Sequence, residues 1–214
     1  MKNIRIWYVK EGRSVYISHL DMMRCMQRAV KRAGIPVWYT QGFNTHIYMT
    51  FSLPLSLGYA SDCETLDIRL EEEMAFEEMV KRLNDVLPNE LRVLRVAEPK
   101  QRPDTIRYAD YVITFFKNAQ TLKHVWDPFI AQPVITSQKK TKKGHKEVNL
   151  KDYVIETSSR EEDSCLLVTV RVLAGNENLN PSLLVEAFKR EGVPFEDVRI
   201  RRTAVLDENM QPFE

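Results

Sequence analysis

Cysteine is scarce in this 214-residue chain, and long apolar runs are absent from it. Cys25, Cys63 and Cys165 are far apart and odd in number, which argues against a disulfide framework and against a clustered set of iron–sulfur ligands. No apolar run approaches the ~20 residues of a membrane-spanning helix. The first residues lack the apolar segment and cleavage site of a secretory signal. We therefore expect a cytoplasmic protein with no membrane partner, no bound metal and no cofactor.

The common catalytic motifs are also missing. The chain has no phosphate-binding P-loop, no GxGxxG, no HExxH and no CxxC pair. It has no Cys-x3-Cys-x2-Cys, so this chain alone cannot be a conventional radical S-adenosylmethionine (SAM) enzyme. No Ser-His-Asp set can be assigned from residue order. These absences favour a binding function over any particular reaction.

Positive charge is concentrated near the start of the chain. Residues 1–60 contain eight lysines and arginines and only two acidic residues, a balance of +6 in a chain whose formal charge is +1. A cationic segment in a nearly neutral protein indicates an anionic partner, and nucleic acid is the commonest one. RNA is the partner that the sequence favours.

The order of helical and extended patterns predicts an α+β fold made of two tandem ferredoxin-like domains. Each half approximates β-α-β-β-α-β, the split βαβ arrangement. We predict helices at about 18–33, 72–87, 118–130 and 180–192, from capping residues and apolar spacing. The segment EPKQRPD, residues 98–104, has the composition of a linker. The predicted domains are residues 1–98 and 105–214.

Three arginines line up on the first predicted helix. Arg24, Arg28 and Arg32 recur every four residues, with Lys31 beside them and Asp21 among them. At ~1.5 Å per residue, four residues separate the guanidiniums by ~6 Å, so the row can follow successive phosphates. A solvated helix face on which Asp21 pairs with Arg24 or Arg28 explains the same pattern.

The segment Gln41, Gly42, Phe43, Asn44, Thr45, His46 is predicted to be a turn between two extended stretches. Gly42 permits a positive φ. Phe43 offers a stacking surface, and Gln41, Asn44 and His46 offer hydrogen-bonding groups, a combination typical of single-stranded RNA readers. Core aromatics and an Asx turn at Asn44 are the structural alternative.

Two histidines and an aspartate are the weak catalytic candidates. His19, Asp21 and His46 would form an acid/base or metal-binding group only if the turn folded back over the start of the helix. His19 falls in the apolar arc of the helix, where a packed and hydrogen-bonded histidine is the simpler interpretation.

A lysine-rich segment lies in the second half of the chain. The sequence KKTKKGHK holds Lys139, Lys140, Lys142, Lys143 and Lys146 within eight residues. Such a loop suits phosphate contacts, and a disordered, solvated loop suits the same composition.

The chain resembles a bacterial family, the radical-SAM-linked proteins of unknown function, in four motifs: SHLDMMR, RAxxRAG, QGFNTH and LPLSLG. Members of that family occur alone or fused to the C-terminus of B12-binding radical SAM proteins. The family pattern GFNPHPK is replaced here at Thr45, Ile47 and Tyr48. The resemblance implies a radical SAM partner and RNA-related work, without an established activity. The matching positions are Ser18, His19, Asp21, Arg24, Arg28, Arg32, Gln41, Gly42, Phe43, Asn44, His46, Pro54, Gly58 and Glu64.

Three hypotheses follow. The first is a non-catalytic accessory that binds RNA or presents substrate to a radical SAM modification enzyme. The second is an RNA-processing or RNA-modifying enzyme that uses His19, Asp21 and His46. The third is an interaction module that docks on the radical SAM partner through the acidic helix predicted at 71–78. The first requires the arginine row and the turn at 41–46 to face one exposed concavity.

Overall fold

The computed structural model describes residues 1–141, 144–195 and 197–214, with only the backbone described at 139–141, 145 and 146. The chain divides into two compact units. Unit 1 comprises residues 1–105 together with Phe213 and Glu214, and unit 2 comprises residues 106–212. Each unit has its own helices and antiparallel strands.

Unit 1 contains two helices and a four-stranded antiparallel sheet. A 3-10 helix, Gly12–Tyr16, precedes the first α-helix. The sheet order is β4-β1-β3-β2. In chain order the elements are β1 (Lys2–Lys10), α1 (His19–Arg32), β2 (Met49–Phe51), β3 (Ala60–Leu70), α2 (Phe76–Val86) and β4 (Leu91–Ala97).

The central strand of this sheet is β1, which pairs with β3 on one side and β4 on the other. Successive side chains of a strand point to opposite faces. Ile4, Ile6 and Tyr8 belong to the core that also contains Met26 of α1 and Met79 of α2. Both helices therefore pack against one face of the sheet, and their other faces remain available to solvent.

Helix α1 begins and ends where its capping residues predict. The Ser18 hydroxyl accepts a hydrogen bond from the Asp21 backbone N–H at 3.1 Å, as an N-cap does. Gly34 has φ +62° just beyond the helix, a conformation that glycine adopts without a Cβ penalty. These two residues set the bounds of the helix that carries the arginine row.

The sequence predicted two other features of unit 1 less well. Helix α2 begins at Phe76, not near residue 72, because Ala75 is extended and the acidic residues before it lie outside the helix. The stretch 37–53 forms only a three-residue strand, with isolated bridges from Val37 to Leu70 and from Tyr39 to Ile47. The segment 36–48, which we call the arm, is held at its base by the bridge between Val37 and Leu70 and by buried Val37 and Ile47, and residues 41–46 form its exposed tip.

Unit 2 repeats the strand order and adds a hairpin. Its main sheet runs β10-β5-β9-β8, and β6 and β7 form a separate two-stranded sheet. The elements are β5 (Ile106–Phe115), α3 (Ala119–Ala131), β6 (Thr136–Thr141), β7 (Gly144–Asn149), β8 (Val154–Glu162), β9 (Cys165–Leu173), α4 (Ser182–Lys189) and β10 (Val198–Asp207). The sequence predicted extended chain on both sides of the lysine-rich segment, but not this additional strand pair.

Aromatic side chains fill the core of unit 2. Phe115, Trp126 and Phe188 are almost fully buried. The Phe188 ring lies edge-on to Phe115 at 5.5 Å and to Trp126 at 5.0 Å between centroids, the geometry that ring quadrupoles favour. This cluster joins α3 and α4 to the sheet of unit 2.

The predicted α+β class is confirmed, and each main sheet is antiparallel. The assignment of two tandem ferredoxin-like domains stays a prediction. Across the described ranges, none of the helices has the length and apolar character that a membrane crossing requires.

Candidate functional site

The three arginines of α1 face a groove closed on its other side by the end of α2. The groove has a volume of about 580 Å³. Its cationic and polar side comes from α1, and its apolar side includes the chain where α2 ends. The lining residues are Asp21, Arg24, Cys25, Arg28, Ala29, Arg32, Val86, Leu87 and Pro88. We call this feature the arginine groove.

The three guanidiniums differ in what they contact. Arg24 Nη1 donates to Asp21 Oδ1 at 3.1 Å, and both side chains are largely exposed. Arg32 Nη2 donates to the backbone carbonyl of Val86 at 2.7 Å, which satisfies one of the last carbonyls of α2. Arg28 makes no hydrogen bond or ion pair to any residue in the described ranges. The middle guanidinium is therefore the one available to an anion.

Asp21 is a fixed negative charge at the end of the groove nearest the start of α1. Its carboxylate accepts a hydrogen bond from the Ser18 hydroxyl at 2.8 Å and another from Arg24. The Ser18 hydroxyl and then Arg24 hold the pKa of Asp21 below its ordinary value. With three guanidiniums and one carboxylate, the lining carries a formal charge of +2 at neutral pH. That charge favours an anionic ligand.

Cys25 is half-buried in the groove, between the arginine row and the apolar side. Burial raises the pKa of the Cys25 thiol, and the charges of Arg28 and Arg32 oppose that rise. The thiol is therefore protonated at neutral pH and is a weak nucleophile. Sequence reasoning did not include Cys25 or the end of α2 in the site.

The turn at 41–46 is exposed along its whole length. It is closed by Thr40, whose backbone N–H donates to the His46 carbonyl at 2.8 Å and whose hydroxyl accepts from the His46 N–H at 3.1 Å. His46 Nδ1 lies 3.0 Å from the Asn44 carbonyl oxygen, an atom that can only accept. The same Nδ1 lies 3.1 Å from the Thr40 hydroxyl oxygen, so the imidazole contacts both sides of the turn.

Aromatic and cationic side chains support the base of this arm. Arg69 lies over the rings of both Trp38 and Tyr48, at 5.0 and 4.9 Å from their centroids. Lys31 Nζ is 5.6 Å from the Tyr39 centroid, which links α1 to the arm. Phe43, at the tip, is fully exposed. The base is thus braced, and the phenyl ring at the tip faces solvent.

The structure brings the three arginines into one groove but does not place the turn in its lining. None of the groove residues comes from the segment 41–46. The connection runs through Lys31, which neighbours Arg32 in sequence and lies ~100° around the helix from it. The turn at 41–46 is therefore not part of the arginine groove, and the single concavity that the first hypothesis required is not found. An RNA strand would have to contact the groove and the tip at Phe43 separately.

The weak catalytic candidates do not form an evident metal site. His19 is exposed, and its ring packs edge-on against Phe51 at 5.1 Å between ring centroids. Asp21 lines the arginine groove, whereas neither His19 nor His46 does. Within the described part of the chain, His, Cys, Asp and Glu side chains form no group of three or more that could hold a metal ion.

The lysine-rich segment falls largely outside the described side chains. Lys142 and Lys143 lie outside the described residues. The backbone of Lys139 is paired with that of Lys146, and Lys140 with His145, in the hairpin of β6 and β7. The predicted phosphate contacts of these lysines stay a prediction.

Glu64 and Gly58, which the family resemblance singled out, lie near the entrance to α1. Glu64 is buried, and its charge opposes the lowering of the Lys10 pKa that burial causes. Lys10 Nζ donates to the Ile17 carbonyl at 3.0 Å, and the Gly58 N–H donates to the Val15 carbonyl at 2.9 Å. Glu64 and Gly58 thus contribute to the contacts that fix the position of the chain just before α1.

Comparison with known proteins gives a family and no activity. No curated protein matches the chain. A crystal structure described as that of an unknown protein from Galdieria sulphuraria is similar over 94% of this chain and 98% of that one, at 13% identity and a TM-score of 0.27. That score is too low to support any inference. A family model described as an uncharacterized protein conserved in bacteria (DUF2344) matches residues 3–181. Since that match covers most of the chain, the protein belongs to this family of uncharacterized bacterial proteins.

Proposed function

We propose that the protein is an RNA-binding accessory that presents its RNA to a radical SAM modification enzyme. The observation that carries the RNA-binding part is the arginine groove, in which Arg28 makes no hydrogen bond or ion pair to a described residue while Arg24 and Arg32 flank it. In this proposal the groove holds the phosphate backbone. The exposed tip at Phe43 contacts an unpaired base.

The charge and spacing of α1 support phosphate binding. The three arginines recur at four-residue intervals along the helix, which places their backbone positions ~6 Å apart along its axis, so the row can contact more than one phosphate of a strand. Guanidinium–phosphate hydrogen bonds are charge-assisted and frequently bidentate. Asp21 cancels part of the charge beside Arg24, so we expect Arg28 to contribute most to binding.

The arm supports contact with a single-stranded base. Phe43 is a large apolar side chain with no cover, and Gln41 and Asn44 next to it are exposed amides. Stacking of a base on an aromatic ring contributes ~1–3 kcal/mol and tolerates every base. The braced rings at the base of the arm keep the tip in place, so little ordering is required when a base binds.

Fluorescence anisotropy with a labelled RNA hairpin tests the RNA-binding part. We expect the affinity of the wild type to fall steeply between about 50 and 200 mM salt. The double variant Arg24→Ala/Arg28→Ala should bind more weakly and lose ~0.7–0.9 from the log–log salt slope for each phosphate contact removed. Arg92→Ala is the matched control, because Arg92 is an exposed arginine of the same unit outside the groove. Binding that is insensitive to salt, or equal in the double variant and the wild type, would refute the proposal.

The partner enzyme rests on the family resemblance. The chain has no Cys-x3-Cys-x2-Cys of its own, so a radical SAM reaction would require a second protein. Purification of the tagged protein from its native cells, followed by mass spectrometry, should recover a protein that carries this cysteine motif. Recovery of RNA alone would support the binding function and reject the accessory role.

A further inference from the structure

The two sides of the arginine groove have different chemistry. One side is a row of guanidiniums on α1, and the other consists of Val86, Leu87 and Pro88 at the end of α2. Ala29 and half-buried Cys25 are the remaining apolar or weakly polar contributors. A ligand that fills this groove needs an anionic part and an apolar part next to each other.

The anionic part has one best position. Arg32 is committed to the Val86 carbonyl, and Arg24 is paired with Asp21. Asp21 also repels an anion at its own end of the groove. An anion is therefore drawn to Arg28, whose guanidinium makes no hydrogen bond or ion pair to a described residue and can form two parallel hydrogen bonds.

The apolar part lies against the end of α2. Pro88 is exposed and Val86 is half-buried, so both present accessible apolar surface to the groove. Apart from the arginines and Asp21, the lining offers no amide or hydroxyl side chain that could distinguish one base edge from another. The groove is suited to a sugar and a base of any identity.

We propose that the arginine groove is a binding site for a single nucleotide unit, with the phosphate on Arg28 and the ribose and base against Val86–Pro88. The inference rests on the proposed RNA-binding function and adds the ligand unit that the groove accepts. The volume of about 580 Å³ lies within the ~300–1,000 Å³ of small-ligand sites and suits one nucleotide, not a paired stem. The nucleotide can be free or can be an unpaired residue of an RNA, because both present the same chemistry.

Cys25 gives a direct readout of occupancy, since its thiol lines the groove. The alkylation rate of each cysteine can be followed by peptide mass spectrometry, with half-buried Cys63 and Cys165 as internal controls. AMP and UMP should slow alkylation of Cys25 by similar factors, about tenfold when the nucleotide is present at ~10 times its Kd and the occupied site excludes the reagent. Adenosine should protect far less, because it lacks the phosphate.

Two variants separate the two parts of the ligand. Arg28→Ala should weaken AMP binding by about 10- to 100-fold, the loss expected for a charge-assisted contact. Pro88→Ser should weaken AMP binding by about 3- to 10-fold through lost apolar contact, and should leave the weak binding of inorganic phosphate unchanged. Equal effects of Pro88→Ser on AMP and inorganic phosphate would overturn the apolar subsite.

The source of the nucleotide is decided by a short single-stranded RNA in the same assay. Protection by both AMP and the RNA supports a site open to free nucleotides, and protection by the RNA alone assigns the site to a residue within a strand. If RNA binds in the anisotropy assay while neither ligand protects Cys25, the nucleotide site is wrong and the proposed function stands. If no RNA binds but AMP protects Cys25, the proposed function fails instead.

Discussion

Replacement of Asp67 by asparagine should destabilise unit 1 strongly, although the side chain keeps its size. Asp67 accepts two hydrogen bonds from Arg5, from Nε to Oδ1 at 2.7 Å and from Nη2 to Oδ2 at 2.8 Å. Arg5 also donates to the Gln101 carbonyl at 2.9 Å and stacks on Phe213 at 4.1 Å. Its side chain is 0% exposed and that of Asp67 is 17% exposed. In Asp67→Asn, an amide N–H would meet a guanidinium N–H, and the buried positive charge would lose its counter-ion.

The magnitude follows from burial. Removing one partner of a buried ion pair costs about 3–5 kcal/mol, because the remaining charge is left without compensation. Unit 2 contains a matched control: Arg171 bonds Asp110 with the same pair of atoms at 2.7 and 2.8 Å, but its side chain is 26% exposed. Arg171 also has Glu156 within 3.4 Å. We expect Asp110→Asn to cost about 1 kcal/mol, as for a partly solvated pair.

Urea unfolding followed by circular dichroism measures both changes, and hydrogen exchange assigns each loss to its unit. The double variant Arg5→Met/Asp67→Leu should be more stable than Asp67→Asn, because it leaves no uncompensated charge in the sheet. Equal losses of unfolding free energy in Asp67→Asn and Asp110→Asn would refute the reasoning. The hydrogen-bond geometry, and not the burial of the pair, would then determine the cost.

Four further predictions concern the chain leading into α1, the groove and the arm. Lys10→Met should lower the free energy of unfolding by about 3 kcal/mol, measured in urea, because the buried Glu64 loses a nearby positive charge. Adding Glu64→Gln should restore part of that loss. If it restores nothing, the two charges are independent. Asp21→Asn should raise RNA affinity about threefold by removing a negative charge from the groove, an effect that salt should diminish. Folding lowers the pKa of Asp21 from 3.8, so its carboxylate stabilises the folded protein above pH 3.8. That stabilisation is lost as the pH falls through the pKa of the folded state. The difference in unfolding free energy between the wild type and Asp21→Asn should shrink over the same pH range. Phe43→Ser should weaken RNA binding about tenfold and leave thermal unfolding unchanged, and an unchanged affinity would remove the arm from the interface.

Local features of the fold could be predicted from the sequence where local residues determine them. Ser18 and Gly34 cap α1, and their chemistry acts within a few residues of the helix ends. The start of α2 was misplaced because acidic residues suit a first helical turn whether or not the chain has entered the helix there. The hairpin of β6 and β7 was missed because lysine-rich segments carry little apolar alternation.

The groove could be predicted only in part. The spacing of the arginines shows that they share a helix face, but it does not show what each one meets. Arg32 bonds a carbonyl 54 residues away, and Arg28 does not, a difference that only tertiary structure creates. The same holds for Val86 and Pro88, which are ordinary residues at a helix end until α1 lies opposite them.

The position of β1 at the centre of the unit 1 sheet constrains how the chain folds during synthesis. Lys2 pairs with Leu70, and Arg5 pairs with Ala97. The first strand therefore cannot form its sheet contacts until the ribosome has synthesised both neighbouring strands. At ~5–20 residues per second that delay lasts several seconds. During that time the apolar strand is unpaired, and its three cations, Lys2, Arg5 and Lys10, discourage premature association with other nascent chains.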